Sequence, residues 1–181
     1  MQSVGQGQSL GHLTGLASRL FNRLLTARFK QAGIELTAEQ WGIILTVHSH
    51  SAPLSHRQIC DILYLDKSSV SRAISVLVSR GWLAELRSAS DSRKKLLQLT
   101  AQAKAQVVNC LEIAQTVLND AQQQLTLQDT VQTCHQLNQV IDSLRQLIPP
   151  FATDARLASS EDSAKANNQT PTTLTPNKEI S

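Results

Sequence analysis

The chain has 181 residues, of which 41% are hydrophobic and 17% charged, and its formal net charge is +3. This hydrophobic fraction is large enough to form a core, which excludes a wholly disordered chain. Polar residues interrupt the apolar positions between Leu10 and Leu25, and no basic segment precedes them. We therefore expect neither a signal peptide nor a membrane span.

No motif of a common enzyme class is present. The chain lacks a phosphate-binding Gly-rich loop, a Gly-x-Ser-x-Gly elbow and an HExxH helix, so we expect no enzyme and no cofactor. Its charge is instead unevenly distributed: residues 55–95 hold eight basic and four acidic residues, and residues 100–148 hold two basic and four acidic. A basic excess confined to one region is typical of nucleic-acid binding.

The first predicted elements are two helices. Apolar residues at helical spacing mark one face of a long helix that ends near Gly33; they are Leu10, Leu13, Ala17, Leu20, Leu24 and Ala27. Thr37 and Gln40 have the spacing of a capping box at the start of the second helix. Trp41, Ile44 and Leu45 are its predicted core residues.

Two short helices follow, joined by a tight turn. Ser55 and Gln58 form another capping-box pattern, and Ile59, Ile62 and Leu63 supply the apolar face of the first of them. The second runs from an N-cap at Asp66 to Ser79, with Gly81 placed to end it in a left-handed conformation. Its apolar residues share one face and are Val70, Ala73, Ile74 and Leu77. Its other face carries Ser68, Ser71, Arg72, Ser75 and Ser79, with Lys67 at the edge.

A charged β-hairpin comes next. Residues 82–86 and 95–99 have strand-like patterns, with Leu97 and Leu99 on one face. The polar loop between them, residues 87–94, contains three basic residues and Asp91, which is spaced to hold Arg93 outward in an ion pair. Helix, turn, helix and basic hairpin is the order of a winged helix-turn-helix, which places one helix in the DNA major groove and the hairpin in the minor groove. The predicted DNA-binding residues are Lys67, Ser68, Ser69, Ser71, Arg72, Ser75, Arg87, Arg93 and Lys94.

Helical segments complete the chain. A heptad-like seam on a helix starting near Thr100 comprises Val107, Leu111, Ala114, Leu118, Ala121 and Leu125. Thr126 caps a last helix, whose apolar residues are Val131, Cys134, Leu137, Ile141, Leu144 and Ile148. The first and the last two helices carry more apolar surface than one compact lobe covers, so we expect them to form a dimerisation module. Pro149 and Pro150 end the last helix, and we expect the Ser-, Thr- and Asn-rich tail 149–181 to be disordered.

Six sequence fragments, in order and spacing, resemble the MarR (multiple-antibiotic-resistance regulator) family of dimeric winged-helix transcription factors. They are LTAEQW (36–41), QICDIL (58–63), DKSSVSR (66–72), LVSRGWL (77–83), DSRKK (91–95) and LQLT (97–100). The resemblance covers residues 10–148. Two positions depart from it: Glu85 stands where the family usually carries a basic residue, and Ala103 where it often has glycine.

The resemblance implies a mainly α fold with a small two- or three-stranded β wing. We expect an N-terminal dimerisation helix (1–35), a winged helix-turn-helix region (36–100, hereafter the winged lobe) and C-terminal dimerisation helices (101–148). It further implies a cytoplasmic homodimer that binds a pseudo-palindromic DNA operator, acts as a repressor and responds to a small aromatic or phenolic effector. The candidate effector-binding residues are Arg19, Arg23, Trp41 and His48.

Three alternatives remain at this point. In the first, the winged helix serves as a protein-interaction module and does not read DNA. A metal-sensing variant would use the histidines His48, His50 and His56, with Cys60, Asp61 or Glu39 completing the site. A redox-sensing variant would use Cys60, Cys110 or Cys134, although cysteines on apolar helix faces are usually inert core residues.

Overall fold

The computed structural model describes residues 9–87 and 95–148. The described residues divide into two compact units, one up to Val131 and the other from Gln132 onward. The described elements are the helices α1 (Leu10–Gln31), α2 (Ala38–His48), α3 (His56–Leu63), α4 (Lys67–Ser79), α5 (Ala101–Gln122) and α6 (Leu127–Leu147), and the strands β1 (Leu54–Ser55), β2 (Leu83–Arg87) and β3 (Lys95–Leu99). The predicted fold class, mainly α with a small β wing, is confirmed.

The strands form one antiparallel sheet in the order β1-β3-β2. Leu54 pairs with Leu97 between β1 and β3, and Leu83 pairs with Leu99 between β2 and β3. All four of these leucines are buried. The part of the sheet that packs on the core is therefore the end of the hairpin where β2 starts and β3 ends. The predicted second strand, residues 95–99, has the bounds of β3.

Helix ends follow the predicted capping chemistry. Thr37 and Ser55 each form a capping box, with Gln40 and Gln58 respectively. Thr100 caps α5 by accepting from the Ala103 N–H, and its hydroxyl also donates to the Gly81 carbonyl over 2.6 Å. That second bond fastens the start of α5 to the turn between α4 and β2.

Gly81 ends α4, with a φ of +74°. The Gly81 N–H donates to the Val78 carbonyl, and the Trp82 N–H donates to the Leu77 carbonyl over 2.9 Å. This pair of bonds is a Schellman motif, which satisfies carbonyls at the helix C-terminus. It also corrects the predicted first strand: Trp82 belongs to the helix cap, so β2 starts at Leu83 and ends at Arg87.

One continuous core joins α2, α3, α4 and the sheet to the end of α1 and the first half of α5. Its fully buried side chains include Phe29, Ile43, Ile44, Ile59, Val70, Ile74, Leu77, Leu97, Val107 and Cys110. Two predicted core residues lie outside it, Leu45 (37% exposed) and Ile62 (40% exposed). On α3 the buried direction lies between Ile59 and Cys60, which leaves Ile62 at its edge.

Helices α1 and α5 pack against each other, and an ion pair of 2.8 Å joins Arg28 to Asp120. Beyond this contact both helices keep large apolar side chains exposed. They are Leu10, Leu13, Leu16, Leu20 and Leu24 on α1, and Val108, Leu111 and Leu118 on α5. Thr126 caps α6 as predicted, in a reciprocal pair of hydrogen bonds with Asp129, and no side chain of α6 is buried.

Candidate nucleic-acid interface

Helix α4 has one buried and one exposed face, as its sequence predicts. Its apolar residues Val70, Ala73, Ile74 and Leu77 lie in the core. Lys67, Ser68, Ser71, Arg72, Ser75 and Ser79 are exposed, and Ser69 is half-buried. The exposed face therefore offers hydroxyl groups and two cations on a helix of 13 residues, with no acidic side chain within it.

The start of α4 is set by Asp66. Its carboxylate accepts from the Ser69 N–H over 2.9 Å and from the Ser68 hydroxyl over 2.5 Å. These bonds, that from the Ser68 side chain first, hold the pKa of Asp66 well below its usual range, so the carboxylate is ionised at neutral pH. This anion lies at the positive end of the helix dipole, and the cationic side chains of α4 are Lys67 and Arg72.

The serine hydroxyls of this face are oriented by the helix itself. Ser75 donates to the Ser71 carbonyl and Ser79 donates to the Val76 carbonyl, each over 2.9 Å. Their oxygens keep free lone pairs, which can accept from base amino groups. Arg72 lies 3.5 Å from the Ser69 hydroxyl, a distance at which a hydrogen bond is weak, so its guanidinium is available to a phosphate or a guanine.

The wing is described only at its base. Arg87 ends β2 as an exposed residue and pairs in register with Lys95. Arg93, Lys94 and the predicted Asp91–Arg93 ion pair lie outside the described residues. Lys95 was not among the predicted DNA-binding residues, and it forms an ion pair of 2.6 Å with Glu85.

Arg80, a basic residue at the end of α4, has a structural role that the sequence did not reveal. It is the C-cap of α4, and its guanidinium donates to the Glu35 carbonyl over 2.5 Å and approaches the Glu35 carboxylate at 3.4 Å. These contacts tie the end of α4 to the connection between α1 and α2. A signal for this pairing was absent because the two residues are distant in sequence.

The four candidate effector residues do not meet in one place. Trp41 is only 5% exposed and packs edge-on against Phe29 at a centroid distance of 5.7 Å, so it is a core residue. His48 lines a hollow of about 350 Å³ together with His50, Gln98 and Lys104. Arg19 and Arg23 are exposed on α1 and line neither this hollow nor the larger one described next.

The larger hollow, of about 530 Å³, lies where the end of α1, the α1–α2 connection and the end of α4 meet. Its apolar walls include Ile34, Leu36 and Val76, and its charged lining residues are Lys30, Arg80 and Glu35. A volume of this size is within the range of small-molecule sites. Hereafter we call it the α1–α4 hollow.

The described residues offer little support for the metal-sensing and redox-sensing alternatives. Among the described residues, no group of three or more His, Cys, Asp and Glu side chains is arranged to hold a metal ion. The ring Nδ1 of His50 is hydrogen-bonded to the Thr46 carbonyl over 2.7 Å. Burial raises the pKa of the Cys60 thiol and raises that of Cys110 to about 11, which keeps both protonated and unreactive. Cys134 is exposed.

These elements define a winged helix-turn-helix protein. Residues 33–94, which hold the helix-turn-helix and the first strand of the wing, match the model of the MarR family. The match spans about a third of the chain, and most of the sequence fragments that resemble this family lie within it. A comparison with curated protein sequences found no match. No described helix is long and apolar enough to cross a membrane.

Solved structures similar to this chain share its fold. A mutant of MarR from E. coli complexed with operator DNA is 23% identical, with a TM-score of 0.65, over 72% of this chain and 92% of that one. BpsR from Bordetella bronchiseptica, whose DNA binding is regulated by 6-hydroxynicotinic acid, is 21% identical, with a TM-score of 0.68, over 77% and 97%. A probable transcriptional regulator from Pseudomonas aeruginosa is 20% identical, with a TM-score of 0.66, over 74% and 97%.

Proposed function

We propose that the protein is a homodimeric, sequence-specific double-stranded DNA-binding transcriptional regulator of the cytoplasm, and that it acts as a ligand-responsive repressor. The observation that carries the proposal is the exposed face of α4, with small hydroxyls around Arg72. Short side chains allow the helix backbone to approach base edges closely, and arginine grips guanine or phosphate. The basic excess of residues 55–95 supplies the attraction to the phosphate backbone.

The homodimer is proposed from the unpartnered apolar side chains of α1 and α5. Leu10, Leu13 and Leu20 are each close to half exposed in the single chain. Contiguous apolar surface of this kind marks protein interfaces. A second copy of the same chain, related by a two-fold axis, would cover it and present two recognition helices to DNA.

The DNA-binding proposal is tested by measuring affinity for a duplex selected from a random pool, as a function of salt. We expect the affinity to fall steeply with salt, because phosphate contacts release counterions. Arg72→Ala should weaken binding about 5- to 150-fold, the value of one good base contact. Arg145→Ala, an exposed arginine of α6, is the control and should change affinity little.

A normal affinity for Arg72→Ala would contradict the assigned orientation of α4. Selection of no duplex at all, by a folded protein, would favour the alternative of a protein-interaction module.

For the effector, we propose an organic anion with a small apolar body, bound in the α1–α4 hollow. The support is that apolar walls and two cations meet there, and that its lining includes both the end of the dimerisation helix α1 and the end of the recognition helix α4. Lys30 forms no ion pair with the described part of the chain, whereas Arg80 is shared with Glu35. A ligand shifts DNA affinity only if it binds the two conformations of the protein unequally.

Titration of the protein–DNA complex with salicylate or 6-hydroxynicotinate tests the effector proposal. We expect release of DNA, and we expect Lys30→Gln to require a higher concentration for the same release. The matched variants Arg19→Gln and Arg23→Gln test the residues first predicted from the sequence. If these two raise the required concentration and Lys30→Gln does not, the effector lies at α1's exposed face and outside the hollow.

A further inference from the structure

The base of the wing carries three charged residues on one face. In the β2–β3 register, Arg87 stands opposite Lys95 and Glu85 stands opposite Leu97. Residues two apart on a strand, and residues directly opposite across a ladder, point to the same side. Glu85, Arg87 and Lys95 therefore share the face of the sheet that also carries the buried Leu83, Leu97 and Leu99.

Glu85 already binds one of the two cations. Its carboxylate lies 2.6 Å from the Lys95 ammonium, and the two side chains are 34% and 63% exposed. Arg87 and Lys95 are like charges directly opposite each other, an arrangement that is unfavourable without a counter-ion. Glu85 supplies that counter-ion, so the base of the wing holds two cations at close range with one of them neutralised.

We propose that Glu85 limits the hold of the wing on DNA by keeping Lys95 in an internal ion pair and away from the phosphate backbone. The inference rests on the proposed DNA-binding function. A phosphate contact by Lys95 has to displace the Glu85 carboxylate from the Lys95 ammonium. Glu85 is thus a positioning residue that sets the affinity and the salt dependence of the regulator.

The direct test compares wild type with Glu85→Gln, which keeps the shape of the side chain and removes its charge. We expect Glu85→Gln to bind the selected duplex about 3- to 10-fold more tightly at low salt. The slope of log affinity against log salt should steepen by about one, the value of one added phosphate contact. Glu112→Gln, an exposed glutamate of α5, makes the same change in net charge and should leave both quantities unchanged.

The Lys95→Gln substitution tests whether the gain in affinity of Glu85→Gln comes from the release of Lys95. In the wild-type background it should change the salt slope little, because Lys95 is already occupied. In the Glu85→Gln background it should abolish the gain. If the gain persists without Lys95, Glu85 acts by repelling phosphate and the inference is overturned.

Two further outcomes also overturn the inference. One is that Glu85→Gln leaves affinity and slope unchanged. The other is that it weakens binding at constant slope while its thermal unfolding midpoint falls, which would mean that Glu85 only stabilises the hairpin. These results differ from failure of the proposed function, in which wild type itself selects no duplex.

Discussion

The winged lobe and the long helix α1 that precedes it differ in the solvent exposure of their apolar side chains. In the lobe, Ile59, Val70, Leu77 and Leu97 are each completely buried within one chain. On α1, Leu10, Leu13 and Leu20 remain 54%, 48% and 57% exposed. The apolar residues of the lobe are therefore buried by their own chain, whereas those of α1 leave an apolar surface that the proposed dimer would cover. In the proposed dimer, the exposed face of α1 would meet a second copy of the chain, while the apolar residues of each lobe stay buried within their own chain.

The largest expected effect comes from placing charges on the exposed face of α1. Leu13→Glu combined with Leu20→Glu should raise the dimer dissociation constant about 1,000-fold or more, because each substitution enters a two-fold interface twice. Sedimentation equilibrium measures this. Ile62→Glu changes an apolar side chain of similar exposure within the lobe and should leave the dimer intact. Equal loss of the dimer in both proteins would show that α1 is not the interface.

A second variant tests the self-contained core of the lobe. Leu77→Ala removes a completely buried side chain between α4 and the sheet. We expect a loss of about 2–5 kcal/mol in the free energy of unfolding, from lost burial and the cavity that remains. Denaturant unfolding at several protein concentrations measures it. A loss well below this range would mean that the core is not packed as described.

The third prediction concerns the joint between the lobe and α5. Thr100→Ala removes both the cap of α5 and the hydrogen bond to the Gly81 carbonyl. We expect a loss of about 0.5–2 kcal/mol in the free energy of unfolding. Thr126→Ala removes an exposed cap at the start of α6 and should cost less, as measured by the same denaturant series. A larger loss for Thr126→Ala than for Thr100→Ala would contradict a stabilising role of the Thr100 hydrogen bonds between α5 and the Gly81 turn.

The smallest expected effect is a pH dependence of the free energy of unfolding, which arises from His56. Its ring Nε2 is buried and has no hydrogen-bond partner in the described part of the chain. Burial lowers the pKa of His56 below its ordinary value of 6.5, while nearby Glu85 raises it and Lys95 lowers it further. The unfolded chain therefore binds the proton more readily, so stability is fully present above pH 6.5 and declines as the pH falls through the lowered pKa.

This prediction is checked by measuring the free energy of unfolding between pH 7.5 and pH 5. The range starts above the ordinary pKa of histidine, 6.5, and extends below it because the pKa of His56 is lowered. We expect His56→Gln to flatten the decline, while His12→Gln, at an exposed position on α1, leaves it as in wild type. An unchanged profile in His56→Gln would exclude His56 as its source.

Local chemistry explains what the sequence predicted correctly. The caps at Thr37, Ser55, Asp66 and Thr126 depend on residues three positions away, and the Gly81 turn also depends on neighbouring residues. The opposed faces of α4 follow from helical periodicity alone. The DNA-binding assignment of that face remains a prediction.

What the sequence did not predict depends on contacts between distant segments. The Glu85–Lys95 and Arg80–Glu35 pairs bring together residues 10 and 45 positions apart. The two-residue strand β1 exists because β3 offers it a ladder, and its own sequence is too short to show a period. Trp41 was predicted as a core residue, but its edge-on contact with Phe29 depends on the packing of α1 on α2, which the sequence alone does not show.

The central claim is that two recognition helices of one dimer read DNA. Its most direct test is the sequence of the duplexes that the full-length protein selects from a random pool. The account predicts an inverted repeat whose half-sites lie about 10 base pairs apart, centre to centre, and whose enrichment is lost with Arg72→Ala. Selection of a site without two-fold symmetry, or the same inverted repeat selected equally well by Arg72→Ala, would contradict it.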